Sequence, residues 1–230
     1  MSIGYNPSIV TANLALCLDA GNPRSYPGTG STWTDISGNS RNATLVSSPT
    51  YTSGINGYFT LNGVDQYATI SNYSGINFNT STVIYIAWLN SVPNSRNTIF
   101  SQYYGGTGAQ FEWGDTGNLR SNYRQNSAAT PENDAANGAN QIVTSTIYHI
   151  TVTYNTGGVI THYKNAVLLG SNTNSTQSNI NGGGNIDIGR NSSAGLYFKG
   201  RVFYCAIYNS VLTQAQVSQN FEALRGRYGI

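Results

Sequence analysis

Short runs of alternating apolar and polar residues, separated by turn residues, are the feature that most constrains how this chain can fold. Leu14, Leu16 and Leu18 recur at every second position, which places their side chains on one face of an extended strand. Similar runs, rich in Val, Ile, Thr and Tyr and bounded by Gly, Asn or Pro, lie at residues 43–46, 58–61, 66–70, 82–89, 98–102, 109–113, 119–124, 147–154, 159–164, 167–170, 186–189 and 201–208. Because no strand–helix–strand alternation appears, these runs predict an all-β fold of two packed antiparallel sheets.

One helix is predicted near the end of the chain, at residues 213–225. Thr213 and Gln216 have the spacing of a capping box, in which each side chain accepts a hydrogen bond from the other residue's backbone. An apolar stripe follows at helical spacing and should dock on the sandwich: Val217, Phe221 and Leu224. Gly226 is the expected left-handed stop. We therefore expect a short N-terminal arm at residues 1–13 and one sandwich with its helix at residues 14–230.

The composition excludes several classes of protein. Charged residues make up 9% of the chain and the net charge is +2, against about 25% charged residues in ordinary globular domains. The largest basic cluster is the pair Arg225 and Arg227, so a nucleic-acid surface is not expected. No apolar stretch is long enough to cross a membrane. The first residues lack a basic region followed by an apolar one, so we expect no secretory signal and assembly in the cytoplasm.

The chain has only two cysteines, Cys17 and Cys205. Two thiols cannot form a disulfide framework, and their spacing matches no zinc motif. They could pair if the first and last strands are neighbours. Synthesis in the cytosol favours buried free thiols instead.

A sugar-binding surface needs exposed aromatic rings and planar polar groups. The central third of the chain carries both types of side chain close together in sequence, and we predict a glycan site there: Tyr103, Tyr104, Trp113, Tyr123, Arg124 and Asn122. The alternative weighs equally, because tyrosine-rich sandwiches use the same residues in the core and at subunit interfaces.

Catalytic patterns are weak. Glu112 and Asp115 are the only acids close together with aromatic neighbours, and a three-residue offset puts them on opposite faces of a strand unless the chain turns. His149 and His162 lie in predicted strands with no G-x-S-x-G motif, so we expect each to be a hydrogen-bonded residue at a sheet surface. The sequence predicts a protein that is not an enzyme. A polysaccharide-degrading enzyme acting through Glu112 is the minor alternative.

Residues 33–44 are a candidate metal site, because they are rich in Asp, Ser, Gly and Asn. Carboxylate, amide and carbonyl oxygens are the ligands that Ca²⁺ takes. Asp35 and Asn39 are the candidate ligands. With one carboxylate, the alternative is a set of side-chain-to-backbone turns that hold no ion.

Several blocks resemble the LamG-type group of the concanavalin A-like lectin/glucanase superfamily. They are residues 16–22 (LCLDAGN), 33–39 (WTDISGN) and 61–67 (LNGVDQY), followed by Gly200-Arg201-Val202 and the closing helix. The opening up to Trp33 and residues 223–230 are, more narrowly, similar to structural proteins of tailed phages, particularly those infecting cyanobacteria.

This resemblance implies a jelly roll with adjacent terminal strands that binds carbohydrate or protein without catalysis. It also implies a Ca²⁺ at the rim of the sandwich, at Asp35 with Asn39 as a partner. The chain departs from many relatives at Phe203 and Tyr204, where they have an acidic pair; this weakens the ion site and leaves two aromatics that could pack on a neighbouring subunit.

The function implied is that of a non-enzymatic virion surface protein. It would bind host-surface carbohydrate, as a fibre or adhesin does, and the alternative is a structural capsid decoration or cement protein. The expected partners are other virion proteins, further copies of the chain in a homo-oligomer (a trimer on symmetry grounds) and a host glycan. No nucleic acid or membrane insertion is expected.

Overall fold

The computed structural model of the chain describes residues 7–71, 73–90, 97–104, 107–114, 117–124, 133–134, 141–173 and 184–230. The strands in chain order are β1 (Leu14–Asp19), β2 (Thr32–Trp33), β3 (Ala43–Val46), β4 (Thr50–Thr52), β5 (Tyr58–Asn62), β6 (Tyr67–Ile70), β7 (Ser81–Leu89), β8 (Asn97–Tyr104), β9 (Thr107–Trp113), β10 (Leu119–Arg124), β11 (Asn133–Asp134), β12 (Ile147–Tyr154), β13 (Val159–Lys164), β14 (Val167–Thr173), β15 (Ile186–Ile188), β16 (Arg190–Asn191), β17 (Leu196–Tyr197) and β18 (Lys199–Tyr208). One helix, α1 (Gln214–Tyr228), follows them.

The strands form two eight-stranded antiparallel sheets and a short ribbon. Sheet A has the order β14-β13-β12-β7-β18-β5-β4, with β1 also paired to β18. Sheet B has the order β11-β10-β9-β8-β15-β6-β3-β2, and β16 pairs with β17. The predicted two-sheet antiparallel sandwich is confirmed. The first and last strands are neighbours, as the resemblance implied.

The core has two parts, because sheet A is covered on both faces. The larger part lies between the sheets and contains rings such as Trp33, Phe59 and Phe100. The second part, which we call the helix-side cluster, lies between the outer face of sheet A and α1. Strand β7 is buried along almost its whole length, since alternate residues serve the two parts. Phe203 and Tyr204, which could have packed on a neighbouring subunit, are instead buried in the helix-side cluster of the same chain.

The capping box of the helix is confirmed, but the predicted helix end is wrong. Thr213 accepts a hydrogen bond from the Gln216 backbone, and the Gln216 side chain accepts one from the Thr213 backbone. The helix continues through Gly226 and is capped by Gly229, whose φ of 69° is left-handed. Contacts with the sandwich explain the extra turn, because Arg227 Nη1 donates to Asp19 Oδ2 over 2.8 Å. No helix in the described residues is long and apolar enough to span a membrane.

Part of the predicted N-terminal arm is fixed to the helix. The Val10 backbone N–H donates to Asn220 Oδ1 over 2.8 Å, and Tyr208 Oη donates to the Val10 carbonyl over 2.9 Å. Ser8 accepts a bond from the side chain of Gln219. Residues 1–6 lie outside the described residues. The arm from Ser8 onward therefore packs against β18 and α1.

The two cysteines are buried and free, as the cytosolic alternative predicted. Their strands are adjacent, and Leu18 is the register partner of Cys205. The two side chains nevertheless point to opposite faces of sheet A: Cys17 belongs to the helix-side cluster and Cys205 to the core between the sheets. This orientation separates the thiols. Burial raises the pKa of the Cys17 thiol to about 12 and also raises that of Cys205.

Candidate functional site

Two of the aromatic residues predicted to form a glycan platform, Trp113 and Tyr123, lie in the core, so the prediction is wrong for these two. Trp113 is 0% exposed; its Nε1 donates to Tyr85 Oη over 3.3 Å and its ring lies 5.3 Å from that of Phe198. Tyr123 is also 0% exposed and stacks on Tyr154 at 4.0 Å. A sugar cannot stack on rings that are enclosed between two sheets.

The remaining members of that predicted site do not assemble into a surface. Asn122 is 2% exposed, so its amide is out of reach of a ligand. Tyr104 is 63% exposed at the end of β8. The side chains of Tyr103 and Arg124 lie outside the described residues. Tyr104 is thus the one accessible side chain among the four that the structure describes.

The residues predicted to bind calcium do not fit a cation. Both carboxylate oxygens of Asp35 accept hydrogen bonds: Oδ1 from the backbone N–H groups of Cys17 and Ser37, and Oδ2 from Ser37 Oγ and the Arg41 backbone N–H, over 2.9–3.0 Å. These donors occupy the lone pairs that a metal would need. Asp35 acts as the centre of a side-chain-to-backbone turn, which was the alternative.

The surroundings of Asp35 also oppose a cation. Asn39 turns its Nδ2 group toward the carbonyls of Leu14 and Ala15, over 3.1 and 3.2 Å. The Arg41 guanidinium donates to the same Ala15 carbonyl over 2.7 Å, so a positive charge already sits there. No group of three or more His, Cys, Asp or Glu side chains suited to a metal occurs in the part of the chain that the structure describes.

The catalytic candidates are buried as well. Glu112 is 0% exposed and accepts a bond from Thr98 Oγ1 over 3.1 Å, while Asp115 lies outside the described residues. His149 lies beneath α1, with its ring 5.6 Å from Phe221.

His162 lies between the sheets, with Nε2 2.6 Å from Ser121 Oγ. The expectation that the two histidines lie at a sheet surface is wrong, since neither His149 nor His162 is more than 1% exposed. Burial lowers the pKa of His149 to about 4 and that of His162 to about 3. Both imidazoles are therefore neutral at pH 7.

An accessible cleft that the sequence did not indicate lies on the outer face of sheet A, where β5, β18 and β7 run side by side. It encloses about 280 Å³. We call it the sheet A cleft; its lining residues are Thr60, Leu61, Asn62, Trp88, Asn90, Lys199, Gly200 and Arg201. The set combines an indole ring, two amides and two cations, the kinds of group that bind sugars in proteins.

Arg201 is the centre of this cleft. It is the register partner of Trp88 on β7 and of Thr60 on β5, so all three side chains share the outer face. Its guanidinium carbon lies 4.3 Å from the centre of the Trp88 ring and 4.8 Å from that of Tyr58. Two cation–π contacts therefore hold the guanidinium in place.

Gly200 and the β5–β6 turn shape the floor and rim of the cleft. A Cβ on Gly200 would lie 2.2 Å from the Trp88 carbonyl oxygen, so only glycine allows β18 to approach β7 this closely. Asn62 at the rim is held by its own turn: its Oδ1 accepts from Val64 and its Nδ2 donates to Asp65. The other neutral polar side chains of the cleft are those of Asn90 and Thr60. Neither forms a side-chain hydrogen bond with the described residues, so both can bind a ligand.

A second accessible hollow lies beside the loops of the first strands. It encloses about 410 Å³ and is lined by Tyr26, Tyr51, Pro23, Pro27 and Ile55, with several glycines and a serine. Both tyrosine hydroxyls already donate to backbone carbonyls, of Gly30 and Ala20. This hollow therefore offers apolar surface and few side-chain groups that could select a hydroxylated ligand.

The sequence carries only part of the information that defines the sheet A cleft. Strand alternation places Trp88 and Arg201 on the faces opposite to Ala87 and Val202, which lie in the core between the sheets. The segments 82–89 and 201–208 were both predicted as strands, but their pairing could not be predicted. Trp88 and Arg201 lie side by side only because β7 pairs with β18.

A family model described as the concanavalin A-like lectin/glucanases superfamily (Laminin_G_3) matches residues 62–218. The matched segment includes Trp88, Asn90, Lys199 and Arg201 of the cleft, and it begins after Asp35. No curated protein sequence matches the chain.

Several solved structures have a similar fold. The Trypanosoma rangeli sialidase in complex with sialic acid has a TM-score of 0.72 at 16% identity, covering 99% of this chain and 35% of the sialidase. The receptor-binding domain of botulinum neurotoxin C/D mosaic serotype has a TM-score of 0.72 at 14% identity, covering 93% and 52%. The binding domain of botulinum neurotoxin DC in complex with rat synaptotagmin II has a TM-score of 0.75 at 13% identity, covering 92% and 52%. The chain thus spans about a third to a half of these proteins, and the likeness concerns the fold.

Proposed function

This chain belongs to the concanavalin A-like lectin/glucanases superfamily, and on that premise we propose that it binds carbohydrate without catalysis, through the sheet A cleft. The observation that carries the proposal is the combination of Trp88, Arg201 and Asn90 around an accessible hollow. A partly exposed indole offers apolar surface to the face of a sugar ring, and the amide and guanidinium can bind its hydroxyls.

A binding role without catalysis is supported by where the acids lie. Hydrolysis of a glycosidic bond commonly needs two carboxyl groups on either side of the bond. The residues that line the sheet A cleft include no Asp or Glu. Glu112, the acid of the minor enzymatic alternative, is enclosed at 0% exposure.

The proposed biological setting is the surface of a phage particle, where the domain would bind a host glycan. The resemblance of both chain ends to structural proteins of tailed phages supports this setting, and so does the low content of charged residues. Among proteins of similar fold are a sialidase solved with sialic acid and a neurotoxin receptor-binding domain. A capsid decoration role, with the chain in a homo-oligomer, is the alternative.

A glycan array tests the proposal, followed by calorimetric titration of the strongest hit with wild type and Trp88→Ala. We expect specific binding by the wild type and a loss of at least about tenfold in the variant, as for removal of an aromatic contact with a ligand. Urea unfolding of the variant establishes that it is folded under the conditions of the titration.

Two further variants locate the site. Arg24→Ala removes an exposed arginine outside the cleft and should bind like the wild type. Tyr104→Ala removes the exposed aromatic of the region predicted from sequence. If Tyr104→Ala abolishes binding and folded Trp88→Ala does not, the sheet A cleft is the wrong site. If no glycan binds the wild type, the carbohydrate-binding proposal fails and the decoration role gains support.

A further inference from the structure

We infer that the sugar taken by the sheet A cleft is acidic, with its carboxylate bound by Arg201; this rests on the proposed function of the same cleft. The inference follows from three properties of Arg201 and its surroundings.

The first property is that the hydrogen-bonding edge of Arg201 makes no hydrogen bond to the described residues. Its contacts with Trp88 and Tyr58 are with the flat faces of the aromatic rings, at 4.3 and 4.8 Å. A guanidinium carries five N–H donors in its own plane. None of them donates to an acceptor in the described residues, although the side chain is only partly exposed. The donors are therefore available to a ligand.

The second property is that its charge is unpaired in the described part of the chain, whereas three other arginines there form ion pairs. Arg190, Arg225 and Arg227 each lie within 2.8 Å of a carboxylate oxygen. Arg201 has no ion pair in the described part of the chain, and Lys199 beside it has none either. In a chain with so few charged residues, two adjacent cations facing a cleft create a local positive field that attracts an anion.

The third property is that the site is organised before the ligand binds. The aromatic rings on either side restrict the Arg201 side chain, so less rotamer entropy is lost on binding. The planar fork of donors matches a carboxylate, which accepts two parallel bonds. Asp65 is not among the residues that line the cleft; its Oδ1 accepts from Asn62 Nδ2 at 2.7 Å, which holds the carboxylate in the β5–β6 turn.

The cleft size indicates how much of the ligand is held. A volume of about 280 Å³ is just below the usual range for small-molecule pockets, which is about 300–1,000 Å³. One acidic residue at the end or branch of a glycan fits this space better than a long linear segment. Thr60 and Asn90 at the sides can bind the hydroxyls of that residue.

The test is calorimetric titration of the full chain with three probes: an oligouronate, the same oligosaccharide after reduction of its carboxyl groups, and a sulfated form of the reduced one. We expect the oligouronate to bind at least about tenfold more tightly than the reduced probe, the difference that one charged hydrogen bond makes. Its affinity should also fall as the salt concentration rises.

Two variants assign the effect to the cleft. Arg201→Lys keeps the charge but removes the planar fork, and it should lose most of the preference for the carboxylate. Arg201 packs on two rings, so its replacement also tests the stability of the strand. Lys199→Gln therefore provides a second measurement, at an exposed side chain. It should lower the affinity for the oligouronate and leave the affinity for the reduced probe unchanged. Arg24→Gln is the control for loss of one positive charge elsewhere.

The outcomes separate the two proposals. Equal binding of the oligouronate and the reduced probe would overturn the acidic-sugar inference and leave the carbohydrate-binding function intact. Binding of the sulfated probe alone would overturn the carboxylate assignment. If no probe binds and the glycan array is empty as well, the proposed function itself fails.

Discussion

At the scale of single residues, Asp35 shows how one carboxylate can organise a turn. It is 6% exposed and accepts four hydrogen bonds from the loop that follows it and from β1. In Asp35→Asn, an NH₂ group replaces one carboxylate oxygen. This group cannot accept the hydrogen bonds that the oxygen accepts, so donors around it lose their partner. Since an unsatisfied buried polar group costs about 1–3 kcal/mol, we expect the free energy of unfolding to fall by about 2–3 kcal/mol. Urea denaturation monitored by tryptophan fluorescence measures the change.

A matched substitution controls for the chemistry of the Asp35 change. Asp65→Asn makes the same replacement at an exposed turn residue, where surface substitutions usually stay within about 0.5 kcal/mol. The midpoint of the wild type should not move when a chelator is added, because hydrogen-bond donors already surround Asp35. A loss below about 1 kcal/mol in Asp35→Asn, or a shift of the wild-type midpoint with chelator, would contradict this role.

Residue burial explains why Trp113, Tyr123 and Asn122 cannot contact a glycan as predicted. Trp113 was grouped with its neighbours by proximity along the chain, but residues next to each other in a strand face opposite sides. Ala109, Phe111 and Trp113 alternate along β9 and all lie in the core between the sheets. The period of two was visible in the sequence. It separates the two faces of the strand but does not show that both faces of β9 are buried.

At the scale of elements, two glycines near the end of α1 make a matched pair. Gly226 lies within the helix and Gly229 caps it in a left-handed conformation, and a Cβ would meet nothing within 4 Å at either position. Gly226→Ala should therefore stabilise the protein by about 0.5–1 kcal/mol, the difference between Gly and Ala in a helix interior. Gly229→Ala should destabilise it by about 1–2 kcal/mol, because a side chain is strained at that φ.

Thermal unfolding of the two variants measures this difference. The expected order of midpoints is Gly226→Ala above the wild type and Gly229→Ala below it. The reverse order would mean that the helix ends at Gly226, as the sequence predicted. The sequence correctly located the start of the helix, since a capping box is a local signal. Its end depends on the contact between Arg227 and Asp19, which are far apart in the chain.

The strands show the same division between local and distant information. All thirteen predicted strands are present, starting with β1, because alternation and turn residues are local features. The short strands β2, β4, β11, β16 and β17 were missed; two or three residues are too few to show a period. The order of strands within each sheet could not be predicted, and the sheet A cleft depends on that order.

At the scale of the whole molecule, a buried histidine lies at each of the two layer contacts. His162 on sheet A lies 2.6 Å from Ser121 Oγ on sheet B. His149 lies between sheet A and α1, beside Phe221, and neither of its ring nitrogens has a hydrogen-bond partner among the described residues. Below about pH 6.5 both therefore remain neutral only as long as the layers stay packed. This couples the stability of the whole assembly to pH.

The sign of the coupling follows from the two pKa values. Burial lowers the pKa of His149 to about 4 and of His162 to about 3, from about 6.5 in the unfolded chain. Below pH 6.5 the unfolded state binds a proton at each histidine and the folded state does not. The free energy of unfolding is therefore full above that pH. As the pH is lowered further it falls by about 1.4 kcal/mol per pH unit for each histidine, until the pH reaches the pKa of that histidine in the folded state. Urea titrations at pH 8 and pH 5 should show this loss, and His149→Phe should remove about half of it. An equal free energy of unfolding at both pH values would contradict the burial of both rings.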